Sequence, residues 1–318
     1  MHAPNRPSAS PLPSASDPSS GAGVDASGAG GPSAALAEKD DAPWLRRLPL
    51  CSPTLPPATH TNVYLVGERE LLIIDPGTPY EEELGHLIEQ LGALRDAGHR
   101  PVGIFLTHHH YDHASGALTL QRALALPVLA HAVTAERVQA QLGLRVDRLV
   151  EDGEVLGFGP RGLRAVHTPG HAPGHLCLHD LAGGGVIAGD MVASVGTIIV
   201  DPGDGGDMRL YLASLRRLLE LAPLRDGPLR LWPAHGSPVE DGPAHLAYYI
   251  RHRELRETKV LAALAHGPLP LDGLVPLAYD DVPPAVHPLA RVSLLAHLHK
   301  LQHEGLARFD DSGAWSRR

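Results

Sequence analysis

Thr107-His108-His109-His110-Tyr111-Asp112-His113 is the stretch on which the reading of this chain turns. It packs imidazoles at His108, His110 and His113 and a carboxylate at Asp112 into a few positions. The apolar run before it, residues 102–106, reads as a short buried strand, and residues 114–118 read as the first turn of a helix. A loop held at both ends in this way suits ligand positioning. One catalytic zinc takes about three protein donors and a water, so donors this dense, joined by distant ones, exceed the needs of a single ion.

Distant donors follow in order. His171 lies in Thr168-Pro169-Gly170-His171, Asp190 ends Val186-Ile187-Ala188-Gly189-Asp190, and His235 sits in Pro233-Ala234-His235-Gly236. Each comes just past an apolar run, where loops converge on one edge of a sheet. Upstream, Leu71-Leu72-Ile73-Ile74-Asp75-Pro76-Gly77 is a further strand ending in a carboxylate. Taken singly, most of the 21 histidines are expected to be surface or satisfied core residues. His109 alternates with two donors and should point away from them. His175 could ligate by spacing, but orienting the site or contacting substrate suits it better. Tyr111 either faces a cleft or packs on the helix, and Cys177 reads as an inert core residue.

The set T-H-x-H-x-D-H, T-P-G-H, G-D and P-A-H-G, preceded by D-x-G at Asp75, resembles the metallo-β-lactamase superfamily. That resemblance implies an αβ/βα sandwich with metals at one edge. It implies one ion on His108, His110 and His171 and a second on Asp112, His113 and His235. Asp190 would bridge the two, with Asp75 and His175 supporting the ligands from behind. It further implies a hydrolase whose attacking group is a hydroxide between two divalent ions about 3.5–4 Å apart, with Asp112 positioning or shuttling the proton. Imidazole-rich ligation suits Zn2+, and mixed His and carboxylate sites also accept Mn2+ or Fe2+.

Composition frames this. Hydrophobic residues make up 43% and charged residues 20% of 318 positions, which indicates a globular chain with room for one large domain and a small one. Aromatics are only 4%, so the core must be aliphatic. Two cysteines fit a reducing compartment, no run approaches the roughly 20 apolar residues of a membrane span, and no apolar leader is present. The expectation is a cytoplasmic protein. Residues 1–42, rich in Ala, Ser, Pro and Gly, are expected to form a disordered tail. Residues 43–243 are expected to form the catalytic domain.

Past residue 243 the pattern changes to a long charged helix (244–265), a short one (271–279), another (288–304) ended by Gly305, and a hairpin around Asp310-Asp311-Ser312-Gly313. Helix, helix, helix, hairpin is the order of a winged helix, expected over residues 244–318. His297-Leu298-His299-Lys300-Leu301-Gln302-His303-Glu304-Gly305 is similar to the tail of the lactamase-β-like protein 2 branch of the superfamily, as is Thr61-Asn62-Val63-Tyr64-Leu65-Val66-Gly67. This branch implies endoribonuclease-like phosphodiester cleavage in single-stranded RNA. The net charge of −9 points the other way, because nucleic-acid binders present basic surfaces. Arg251, Arg253, Arg256, Lys259, Arg291, Lys300 and Arg308 could still form a local basic face, although Glu254, Glu257, Asp280 and Asp281 nearly balance them. The alternative is a thioester or small acyl-ester hydrolase of glyoxalase II type. A different class is a winged-helix nucleic-acid-binding regulator with a metal-sensing domain, which an intact donor set argues against. The tail could equally mediate oligomers or wall the cleft.

Overall fold

Strand patterning with period two, buried on both faces, organises the chain. In strand β3 (His60–Val66), Val63 and Leu65 point to one core while Tyr64 and Val66 point to another. In β4 (Glu70–Ile74), Ile73 joins the first core, and Leu72 and Ile74 the second. Such strands cannot lie at a surface and must sit between layers. The computed structural model describes residues 39–158, 161–221 and 229–318, and all of them belong to one compact unit.

Two sheets face each other. The first runs β1 (Lys39–Ala42), β2 (Leu45–Cys51), β3, β4, β5 (Arg100–Phe105), β6 (Val128–Ala130) and β7 (Arg148–Leu149) in that spatial order. Its pairs are antiparallel up to β4 and parallel beyond. The second runs β12 (Leu231–Pro233), β11 (Val186–Gly189), β10 (Leu176–Asp180), β9 (Arg161–His167) and β8 (Val155–Phe158). Between them Tyr64, Leu72 and Phe105 meet Leu163, Leu176, Leu178 and Trp232. Helices α1 (Glu81–Asp96), α3 (Ala117–Leu124) and α4 (Ala132–Leu142) cover the outer face of the first sheet. Helix α5 (Met208–Leu219) and the start of α6 (Gly242–Leu264) cover that of the second. The result is the expected αβ/βα sandwich.

The first helical turn after β5 begins earlier than the sequence suggests, at α2 (Tyr111–Ala114), so Asp112 and His113 are already helical. Only the last few residues of the tail expected over 1–42 are described: Lys39–Ala42 pair as a strand with β2, and the rest lies outside the described residues.

Helix α6 serves two cores. Leu246, Tyr249 and Ile250 pack against the second sheet, whereas Val260, Ala263 and Leu264 pack with α7 (Leu271–Ala278), α8 (His287–His303) and the hairpin β13 (Ala307–Phe309)–β14 (Trp315–Arg317). This last group is the winged helix. Among the described residues no helix is long and apolar enough to cross a membrane. Four of the seven residues of the anticipated basic face are paired with acids: Lys259 meets Asp280 at 2.6 Å, Arg256 meets Asp281 at 2.8 Å, Arg291 meets Asp272 at 2.5 Å and Lys300 meets Glu257 at 2.7 Å.

The phenol of Tyr249, 3% exposed, anchors α6: it accepts from the Ala193 N–H at 2.9 Å and donates to the Ala193 carbonyl at 3.0 Å. Tyr249→Phe removes both bonds and leaves the Ala193 N–H unpaired, while the carbonyl keeps His245 at 2.9 Å, so it is expected to cost about 1–3 kcal/mol, read as a lower urea midpoint with unchanged slope.

Candidate metal centre

Each candidate histidine donor lies shortly after a strand and is fixed by a hydrogen bond on its far side. Asp75 follows β4 with φ 49°, a left-handed conformation unusual for a residue with a side chain. Its Oδ1 accepts the Thr107 N–H at 2.7 Å, and its Oδ2 accepts the Thr107 hydroxyl at 2.6 Å and the His113 Nδ1–H at 3.0 Å. Gly77 lets this turn pass beneath the histidine loop, since a Cβ there would overlap the Asp112 carbonyl. Because the Thr107 hydroxyl donates to Asp75, its oxygen accepts from His108 Nδ1 at 2.9 Å.

The same logic fixes the other rings. His110 Nε2–H donates to Asp204 at 2.8 Å, His171 Nδ1–H to the Ile199 carbonyl at 2.7 Å and His235 Nδ1–H to the His60 carbonyl at 3.0 Å. The second nitrogen of each ring is therefore turned inward, away from the acceptor that holds the first. Those of His108, His110 and His171 lie 2.9–3.2 Å apart. Three nitrogens around a tetrahedral zinc at 2.0–2.1 Å stand roughly 3.3 Å apart, so this is the spacing of a cation's ligands.

A second group lies beside the first. His113 Nε2 stands 3.8 Å from Asp112 Oδ1, and His235 Nε2 stands 3.6 Å from Asp112 Oδ2. Asp190 lies between the groups, its Oδ1 3.6 Å from His113 and 3.4 Å from His235, its Oδ2 3.5 Å from His171. His113 Nε2 and Asp190 Oδ1 are buried without a hydrogen-bond partner, a costly condition for polar atoms. Both His108–His110–His171 and Asp112–His113–His235 have donor atoms close enough to hold a metal ion. All seven anticipated ligands thus converge. Among the described residues two further groups meet the same criterion, Asp75–His108–His113 and His109–His110–Asp204.

The remaining expectations sort by geometry. His175 has both nitrogens in use, accepting the Asp190 N–H at 3.1 Å and donating to Thr168 at 2.8 Å, so it orients the Asp190 loop and has no lone pair to offer. His109 turns away to Asp204 at 2.9 Å. Tyr111 is 52% exposed, neither packed on a helix nor lining the central cavity. Cys177 is buried, and burial pushes its thiol up to about 12.

Several positioning residues escape sequence reasoning. Asn62 donates to the Pro233 and Gly236 carbonyls at 2.9 and 2.8 Å, clamping the loop that carries His235. Asp204 holds His110 and is itself held by Arg137 at 2.5 Å. Arg253, buried on α6, binds the Thr197 hydroxyl at 3.1 Å and the Ile198 carbonyl, next to the carbonyl that orients His171. Only Asn62 carried a signal, through its place in T-N-V-Y-L.

Without metal the two groups titrate oppositely. Burial, then neighbouring imidazoles, depresses His108 and His175, and brings His171 down to about 4. His113 and His235 are raised, because Asp190 and other partners outweigh the burial that opposes their charge. A histidine depressed in the fold contributes stability above its unfolded value near 6.5, lost as pH falls towards the folded value. The raised pair works in reverse, its contribution fading only as pH climbs through its raised values. Depressed rings outnumber raised ones, so in EDTA the melting temperature is expected to fall as pH drops from about 6.5 towards 4. A calorimetric series across that window measures it.

Comparison with known proteins agrees with this architecture. The model of the metallo-beta-lactamase superfamily matches residues 56–225, and that of the beta-lactamase associated winged helix domain matches residues 271–315. A beta-lactamase-like protein 2 homolog of Drosophila melanogaster is 28% identical over 277 residues, covering 82% of this chain and 89% of its own. An atrochrysone carboxyl ACP thioesterase of Aspergillus chevalieri is 31% identical over 229 residues, covering 71% of this chain and 68% of its own. Among solved structures, a beta-lactamase domain protein from Burkholderia ambifaria has the same fold, with TM-score 0.75 and 24% identity over 90% of this chain and 94% of its own. From the donor loops to the appended winged helix, this chain belongs to the metallo-beta-lactamase superfamily.

Proposed function

We propose that the chain is a binuclear metal-dependent hydrolase, with His108, His110 and His171 holding one divalent ion, Asp112, His113 and His235 a second, and Asp190 shared between them. The observation that carries this reading is the set of five histidines whose outer nitrogens are tied to protein acceptors and whose inner nitrogens face one another around Asp190. Bound divalent ions would act as Lewis acids and bring the pKa of a water towards about 7. The protein's part is to hold the donors and manage the proton. Asp75 fixes the tautomer and tilt of His113, while Asp204 does so for His110. Asp112 borders the cavity with 17% of its side chain exposed, less enclosed than Asp190, and is placed to orient the attacking water and take its proton.

The cleft supports an ester or thioester substrate over an RNA strand. Arg253 and Arg256 are the only Arg or Lys among its described lining residues, and both are buried and engaged within the fold. Its one Tyr, Phe or Trp is Tyr279, buried and covered by Arg256 at 4.0 Å. Single-stranded nucleic acid needs free cations along its backbone and open rings for its bases. A relative named as a thioesterase is consistent with the ester reading.

Elemental analysis of zinc-reconstituted protein is expected to find two equivalents per chain, and His171→Ala and His235→Ala one each. One equivalent in the parent protein would refute the binuclear centre. Metal-replete protein screened against thioesters, RNA oligonucleotides and lactams is expected to turn over thioesters, with kcat at least 100-fold lower in Asp112→Ala. RNA cleavage alone would reverse the substrate assignment.

A further inference from the structure

The donors do not sit in a shallow groove. They form the floor of a cavity of about 730 Å³ whose opposite wall is built by the winged helix. That volume lies within the range of about 300–1,000 Å³ typical of pockets that enclose a small-molecule ligand. Val282, Val286 and Leu289 line it from the winged-helix side, and Leu55 and Pro57 from the turn after β2. Leu55 is 52% and Val286 41% exposed, so apolar side chains from separate parts of the fold stand open to water over one cavity. Water-facing apolar surface is costly at about 25 cal/mol per Å² and gains when a ligand covers it.

The polar groups nearby do not compete for that ligand. Arg256 is bound to the Ala278 carbonyl at 2.5 Å and to Asp281, and Arg253 is bound to the 197–198 segment. His252, also lining the cavity, is pulled down to about 4 by burial and by these two arginines, and is therefore uncharged at neutral pH.

We infer that this wall is a binding subsite for the apolar acyl group of the substrate, so that the winged helix selects acyl chains at the hydrolytic centre. The inference rests on the hydrolase reading above. Continuity decides the occupant: an ester carbonyl seated at the Asp112–Asp190 floor has its acyl substituent within the same cavity. A straight or ring-bearing hydrocarbon acyl group matches the lining, whereas a polyanion does not.

The test uses the full-length, zinc-loaded protein and N-acetylcysteamine thioesters from acetyl to dodecanoyl. The specificity constant is expected to climb about fourfold per methylene until the cavity is full. Val286→Asp and Leu55→Asp, on opposite walls, should each cut the octanoyl-to-acetyl ratio at least tenfold, with melting temperatures within a few degrees of the parent. Binding of octanoate against acetate, by calorimetry, should show the same preference and the same loss in both variants. A ratio independent of chain length, or binding that neither variant weakens, overturns the subsite. Chain-length-dependent binding without hydrolysis of any thioester would instead refute the thioesterase reading and leave the apolar subsite standing.

Discussion

Buried imidazole nitrogens turned toward one another are the constraint around which the rest of this molecule is arranged. An imidazole left to itself rotates or exchanges tautomers to find a partner. Here each ring is prevented from doing so by an acceptor behind it: Asp75 through His113, Thr107 through His108, Asp204 through His110, and the backbone carbonyls of Ile199 and His60 through His171 and His235. The arrangement is unfavourable in isolation, and the packed sandwich sustains it. The left-handed Asp75 and the close passage of Gly77 under the histidine loop are local signs of that cost.

Much of the design was legible in the chain. Every donor sits where an apolar strand gives way to a turn, and strand ends are marked by short-range pattern. The apolar run at residues 102–106 falls largely within β5, and the turn of the last hairpin spans Asp310 to Gly313 as its residues suggest. The winged helix followed from the order of its elements. What escaped reading depends on contacts between residues far apart in sequence. Asn62 and Pro233 are 171 positions apart, and Asp204 and His110 are 94 apart. No local period or turn signal announces such a bond, and Asp204 in a Gly- and Asp-rich turn looks like any loop residue. The near balance of charge around the basic face was legible from Glu257, Asp280 and Asp281, whereas the pairing of Arg291 with Asp272, on a different helix, was not.

The two ends of the cavity divide the chemical labour. At the floor, charge is concentrated and its solvation is replaced by fixed protein groups, which is where electrostatic stabilisation of a reacting centre is strongest. At the far wall, charge is tied up within the fold and the surface offered is hydrocarbon. Arg253 joins these ends, because it grips the segment whose next carbonyl orients His171 while lying on the helix that carries the winged helix.

Helix α6 crosses from one core to the other as 23 residues without a break, buried at both ends. A beam of that kind has no joint. The gap between floor and wall is thus backed by one continuous rod, like the frame of a caliper, and in the hydrolase proposed above its width would set which acyl groups can enter.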